Sequence, residues 1–185
     1  MNYLKLFILF FSIHFFSYSQ QNICDSTLTK EKYKIIGKKT PPHFYYYHLP
    51  AIGECVSRLP NGAIMMASGS NYFYYNGIFY QPRNGRYIVV LAPKGIRINI
   101  LPYEFIKLKI DNNNYYYFFG TFYTLCKDGS FIVTTPPIGA KVNALPYGYK
   151  IVKEDNIDCY LFNKTLYKEI ITEGNKTKYL VIKNY

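Results

Sequence analysis

The stretch 72-YFYYNGIFY-80 returns as 115-YYYFFGTFY-123 and again as 159-CYLFNKTLY-167, at offsets of 43 and 44 residues. A second marker recurs with it: 50-PAIGECVSRLP-60, 92-APKGIRINILP-102 and 136-PPIGAKVNALP-146. Gly53, Gly95 and Gly139 fall in register there, and a Leu-Pro pair closes each copy. Two independent markers with one period define an internal repeat of about 43 residues. Such a period is the signature of stacked supersecondary units, none of which buries its face alone.

Each unit reads as strands. After the marker glycine, Ile96, Ile98 and Ile100 alternate with Arg97 and Asn99, and Ala140, Val142 and Ala144 alternate with Lys141 and Asn143. Period-2 alternation places one face inward and one outward. The first repeat breaks the pattern, with Glu54 and Arg58 at inner positions, as terminal repeats do where one side meets water. Leu-Pro then stops the strand, because Pro has no N–H for a ladder. Second strands are expected at 63–67, 105–110 and 149–153, and closing strands at 87–91, 131–135 and 179–183. Between them lies the aromatic hairpin. Its Asn76-Gly77 predicts a two-residue turn with positive φ at both positions. The segment 43-HFYYYHLP-50 resembles a closing strand and is expected to begin the array.

The content of 22 Tyr and 14 Phe, with no Trp, agrees with strands. The expected fold is all-β: tandem repeats of about 43 residues, each a small antiparallel barrel-like or meander unit that protects its short edges. The expected organisation is a signal peptide at 1–19, a basic linker at 20–42, and β repeats at 43–92, 93–135 and 136–185.

The opening MNYLKLFILFFSIHFFSYSQQN has the layout of a secretory signal peptide. Lys5 supplies a positive start, residues 6–16 an apolar core, and Ser17 and Ser19 the small residues before a cleavage point ahead of Gln20. The apolar run is shorter than the roughly 20 residues that a membrane anchor needs, so no transmembrane span is expected after cleavage. Cys24 follows Gln21-Asn22-Ile23 and not the small residues of a lipoprotein site. The expected location is the periplasm, the outer-membrane surface or the extracellular space. In an oxidising compartment Cys24, Cys55, Cys126 and Cys159 are candidates for disulfides, with three connectivities open. Their spacing contains no CxxC pair, which argues against zinc.

The formal charge of +11 attracts polyanions. The excess is spread along the chain, with one cluster at Lys30, Lys32, Lys34, Lys38 and Lys39. A nucleic-acid reader would gather its cations on one face, so an anionic envelope polymer or another envelope protein is the better-fitting partner. No phosphate-binding loop, dinucleotide fingerprint or nucleophile elbow is present, so neither a cofactor nor an enzymatic activity is expected. His43 and His48 stand five residues apart, a spacing that sends them to opposite faces of an extended segment and away from a shared metal. The acids fall at turns, where Asp111, Asp128, Glu154 and Asp155 read as turn chemistry. That leaves the aromatics. Tyr72, Tyr74, Tyr80, Tyr115, Tyr117 and Tyr123 are the candidate ligand-facing rings, with packing between repeats as the competing role.

The segments 74-YYNGIFYQP-82, 87-YIVVLAP-93 and 136-PPIGAKVNALPYGYKIV-152 resemble the uncharacterised bacterial exported family called domain of unknown function 6515, over roughly residues 44–183. Two departures stand out: Tyr103-Glu104-Phe105 where the pattern has Gly-Tyr, and Lys164 in place of the turn glycine. The resemblance implies an envelope location and transfers no catalytic or binding residue. The expected function is thus a non-enzymatic binding or structural component of the cell envelope. A carbohydrate-binding module using tyrosine platforms is the alternative, and an envelope hydrolase the weaker one.

Overall fold

The structure is a computed structural model that describes residues 42–68 and 70–185. The expected signal peptide, the linker up to residue 41 and Cys24 lie outside the described residues. The described chain is all-β, with no α-helix and with three five-stranded antiparallel sheets. The first sheet holds β1 (Cys55–Val56), β2 (Ile64–Ser68), β3 (Ser70–Tyr75), β4 (Ile78–Arg83) and β5 (Arg86–Val90). The second holds β6 (Arg97–Ile98), β7 (Ile106–Ile110), β8 (Asn113–Phe118), β9 (Thr121–Leu125) and β10 (Phe131–Thr134). The third holds β11 (Lys141–Val142), β12 (Lys150–Glu154), β13 (Ile157–Phe162), β14 (Thr165–Thr172) and β15 (Lys176–Asn184).

All three share one topology, β1-β5-β4-β3-β2 and its equivalents. Four strands run as a meander, and the short first strand returns beside the last. The first and second strands of each sheet stand at opposite edges, so the sheet is open. Of the two expected forms, the meander is the one found, and the barrel is not. The marker glycine has one job in every repeat: Gly53, Gly95 and Gly139 donate their N–H groups to the carbonyls of Val89, Val133 and Val181, at 2.8, 2.9 and 2.9 Å. The same valines donate back to the carbonyls of Glu54, Ile96 and Ala140 at 2.9, 3.0 and 2.8 Å.

Two expectations fail locally. Ile96 and Ile98 are buried, but Ile100 is 77% exposed, because β6 ends after Ile98. Its counterpart Ala144 is buried in the third repeat, under the segment 42–49. That segment is itself no strand. It forms a 3-10 turn at Phe44–Tyr46, closed by Tyr46 N–H donating to His43 O and Leu49 N–H donating to Tyr46 O. Its conformation is set by what it covers. Tyr46 is buried with Tyr80, Val89, Phe118, Phe119 and Ala144, and Leu145 N–H donates to Pro42 O at 3.1 Å.

The core lies between the sheets. Strand alternation sends Tyr72 and Tyr74 of β3, with Phe79 of β4, toward Ile96, Ile98 and Val133 of the second sheet. Phe73 points the other way, toward Ile78, Tyr80 and Val89. The next pair repeats the arrangement. Tyr117 and Phe122 pack with Val142, Leu145 and Tyr167 of the third sheet, while Tyr116 and Tyr123 pack back on the first. Each fully buried ring contributes about 2–3 kcal/mol, so these joints dominate the stability of sheets too small to stand alone.

The joints are also keyed by polar and steric contacts. Tyr74 donates its hydroxyl to Ile100 O at 3.0 Å, and Tyr117 does the same to Ala144 O at 2.7 Å. The hairpin turns have positive φ at both central residues: +41° and +87° at Asn76-Gly77, +45° and +80° at Phe119-Gly120. Glycine serves a second purpose there. A Cβ on Gly77 would stand 2.4 Å from the Phe118 ring and 2.8 Å from Pro102. One on Gly120 would stand 2.5 Å from Phe162 and 2.9 Å from Pro146. Each hairpin tip therefore presses against the Leu-Pro and the aromatic of the following repeat. In the third repeat the equivalent positions are Leu161 and Lys164.

Candidate functional site

The six candidate ligand-facing tyrosines are joint residues first. Tyr74, Tyr80, Tyr117 and Tyr123 are buried, with no more than 6% of their surface exposed, so these four rings offer no open face. Tyr72 and Tyr115 are half-buried, and Tyr72 leans on the core between the first and second sheets. Burial pushes the Tyr74 and Tyr80 phenols up to about 12, and holds those of Tyr117 and Tyr123 higher still. At ordinary pH they are neutral donors. The Tyr123 hydroxyl is buried, and no group among the described residues meets hydrogen-bond geometry with it.

The exposed aromatics lie elsewhere. Tyr103 is 92% exposed, and Tyr45 and Tyr47 are about half exposed. Tyr47 meets His48 edge-on with ring centres 5.6 Å apart, and His48 Nε2 lies 3.8 Å from Glu104 Oε2. Tyr103 N–H donates to Asn76 Oδ1 at 3.3 Å, which ties this surface to the first hairpin turn. The result is an open aromatic seam over the joint of the first two repeats. Its sequence signal is Tyr103-Glu104-Phe105, one of the two departures from the family pattern.

The histidines separate, although the 3-10 turn between them replaces the extended segment on which their spacing was read. His48 faces Glu104 of the second repeat. His43 packs on Tyr147 and Tyr149 of the third, with Nδ1 3.2 Å from the Tyr149 hydroxyl. No cluster of metal-ligating side chains is present among the described residues. Of the candidate disulfide cysteines, Cys55 is disulfide-bonded. Cys126 and Cys159 are free thiols and form no bridge with each other. Burial, then the nearby Glu154, pushes the Cys159 thiol up, which disfavours the nucleophilic thiolate.

One concave feature among the described residues is a groove of about 560 Å³. It is lined by the turn at Gly120 and Thr121, the turn at 163–165, the connectors 91–94 and 133–136, and Asn184 and Tyr185. The walls are fastened: the Thr165 hydroxyl donates to Asn184 Oδ1 at 2.8 Å, Asn184 Nδ2 donates to Pro136 O at 2.9 Å, and Tyr185 N–H donates to Lys164 O at 2.8 Å. Two lysines, Lys94 and Lys164, line the groove, and no Asp or Glu side chain does. Sequence reasoning singled out Lys164 as an irregular turn residue but not Lys94, whose partner in the groove is distant along the chain.

Among curated proteins and among solved structures, nothing matches the chain. A family match does span the array and the residues before it: the sequence model of the family of unknown function DUF6515 aligns with residues 24–184. With three open sheets of one topology, joined through the very tyrosines and glycines that carry the resemblance, the chain belongs to that family.

Proposed function

We propose that the protein is an exported, non-enzymatic component of the cell envelope that binds or scaffolds, with an anionic envelope polymer as the partner class. The observation that carries the reading is how the repeat uses its residues. The recurring aromatics and glycines hold sheet to sheet. Among the residues the array turns outward are cations at its sheet edges, Lys107 and Lys109 on β7 and Lys150 and Lys153 on β12. A basic surface on a rigid support suits a multivalent anionic polymer. The leader-like start of the sequence supports export.

The test is fractionation of cells expressing the full chain, with the amino terminus of the product sequenced. A product beginning at Gln20 in the envelope fraction, which sediments with purified acidic envelope polymer and is released by salt, is expected. An uncut product that stays in the cytosol removes the reading. A second reading, a carbohydrate-binding module, is favoured by the seam, where Tyr103 and Tyr47 stand open beside His48 and Glu104. A glycan array without hits, or hits indifferent to Tyr103→Ala, would remove it.

A further inference from the structure

The array is regular enough that its irregularities carry information. At the position before the marker glycine, the first and third repeats have Ile52 and Ile138, and the second has Lys94. At the second turn position of the hairpin, the first and second repeats have Gly77 and Gly120, and the third has Lys164. Packing requires neither lysine. Lys94 and Lys164 are both exposed. Yet both line the same groove, although they come from different repeats and different structural positions.

The rest of the lining agrees with a ligand of defined character. Thr121, Thr135 and Asn163 bring polar groups, Pro93 and Pro136 bring flat apolar surface, and no Asp or Glu lines the groove. Neither Lys94 nor Lys164 has an ion pair among the described residues, whereas Lys153 and Lys183 do, with Asp158 and Glu154. Two cations without ion pairs lining one fastened groove, together with hydroxyls and small apolar faces, match a hydroxyl-rich ligand that carries negative charge. The groove's volume lies in the range of small-ligand sites.

We infer that this groove binds a short segment of an acidic glycan, with Lys94 and Lys164 each engaging a carboxylate or phosphate group of the polymer. The inference rests on the anionic-polymer reading above and assigns that reading a place. Lysine suits the task because a flexible point charge follows a polymer whose exact geometry varies.

The test uses variants that restore the repeat's own residues, so that folding is preserved: Lys94→Ile and Lys164→Gly. Glycine is at ease at the Lys164 backbone, whose φ is +61°. Titration calorimetry of the full chain is run with an oligogalacturonate, an oligomer of glycerol phosphate, and a neutral cello-oligosaccharide of equal length. Lys176→Ala, on the exposed part of β15, serves as the charge-matched control. Binding of at least one anionic oligomer is expected, weakened about fivefold by each single variant and more by the pair, with Lys176→Ala near the parent value. The two anionic arms decide whether carboxylate or phosphate is preferred. The inference is overturned if neither anionic oligomer binds, if the neutral oligomer binds as tightly, or if Lys176→Ala weakens binding as much as the groove variants. Envelope fractionation of the double variant separates the two proposals. A groove that does not bind, in a protein still found in the envelope, removes this inference alone.

Discussion

Gly120 carries two constraints at once, and they can be separated by substitution. Its φ of +80° disfavours any side chain, and its Cβ position is already occupied by Phe162 and Pro146. Gly85, at φ +73°, has the first constraint without the second, because nothing lies within 4 Å of its Cβ position. Gly85→Ala is expected to cost about 1–2 kcal/mol from backbone strain. Gly120→Ala should cost about 2–5 kcal/mol, because overpacking of the joint is added. Urea denaturation of both variants checks the order, and equal losses would mean that the joint yields freely. The neighbouring turn shows where reading from sequence stops. Asn76-Gly77 announces its left-handed turn through residue type alone. Phe119-Gly120 does not, because a phenylalanine at φ +45° is held there by a partner 73 residues away: Phe119 N–H donates to the Tyr46 hydroxyl at 3.2 Å, and the two rings meet edge-on.

Among elements, the edge strands differ in protection. β7 carries Lys107 and Lys109, and β12 carries Lys150 and Lys153, charges that discourage pairing with another chain. β2 occupies the same edge of the first sheet and carries none, while Ile64 and Met65 are about two-thirds exposed. Met65→Lys is therefore expected to lower concentration-dependent aggregation, read by light scattering, with little change in melting temperature. Unchanged aggregation would mean that another surface drives it. The meander strands were legible because alternation and Pro-Gly punctuation are local signals. β6 and the segment 42–49 were not. Whether Ile100 and Ala144 are buried depends on what covers them, and 43-HFYYYHLP-50 has strand-like composition while its geometry answers to the third repeat. The groove was illegible for a similar reason. Lys164 looked like a broken turn, and only the stacking of repeats brings Lys94 to it.

For the molecule as a whole, the shared design of the joints sets its response to alkali. Burial raises the phenols of Tyr74, Tyr80 and Tyr149 from 10.0 to about 12, and raises those of Tyr46, Tyr117, Tyr123, Tyr160, Tyr167 and Tyr179 further. The folded state thus keeps protons that the unfolded chain releases. The stability this contributes is complete below pH 10 and falls as pH rises from there through about 12, because the unfolded state then binds fewer protons. Circular dichroism and tyrosinate absorbance followed together should show the buried tyrosines ionising in one cooperative step with unfolding, above pH 10. Complete ionisation of the tyrosines ahead of unfolding would contradict the buried joints. The segment 42–49 has a consequence of another kind. His43 meets Tyr149 across 106 residues, and Tyr46 closes over the second hairpin turn. A chain threaded through a pore from its amino terminus would bring this segment out ahead of the three repeats, yet its seat is not built until the third repeat has followed. A stretch that emerges ahead of every sheet is then among the last to settle, because the ring that receives His43 comes 106 residues later.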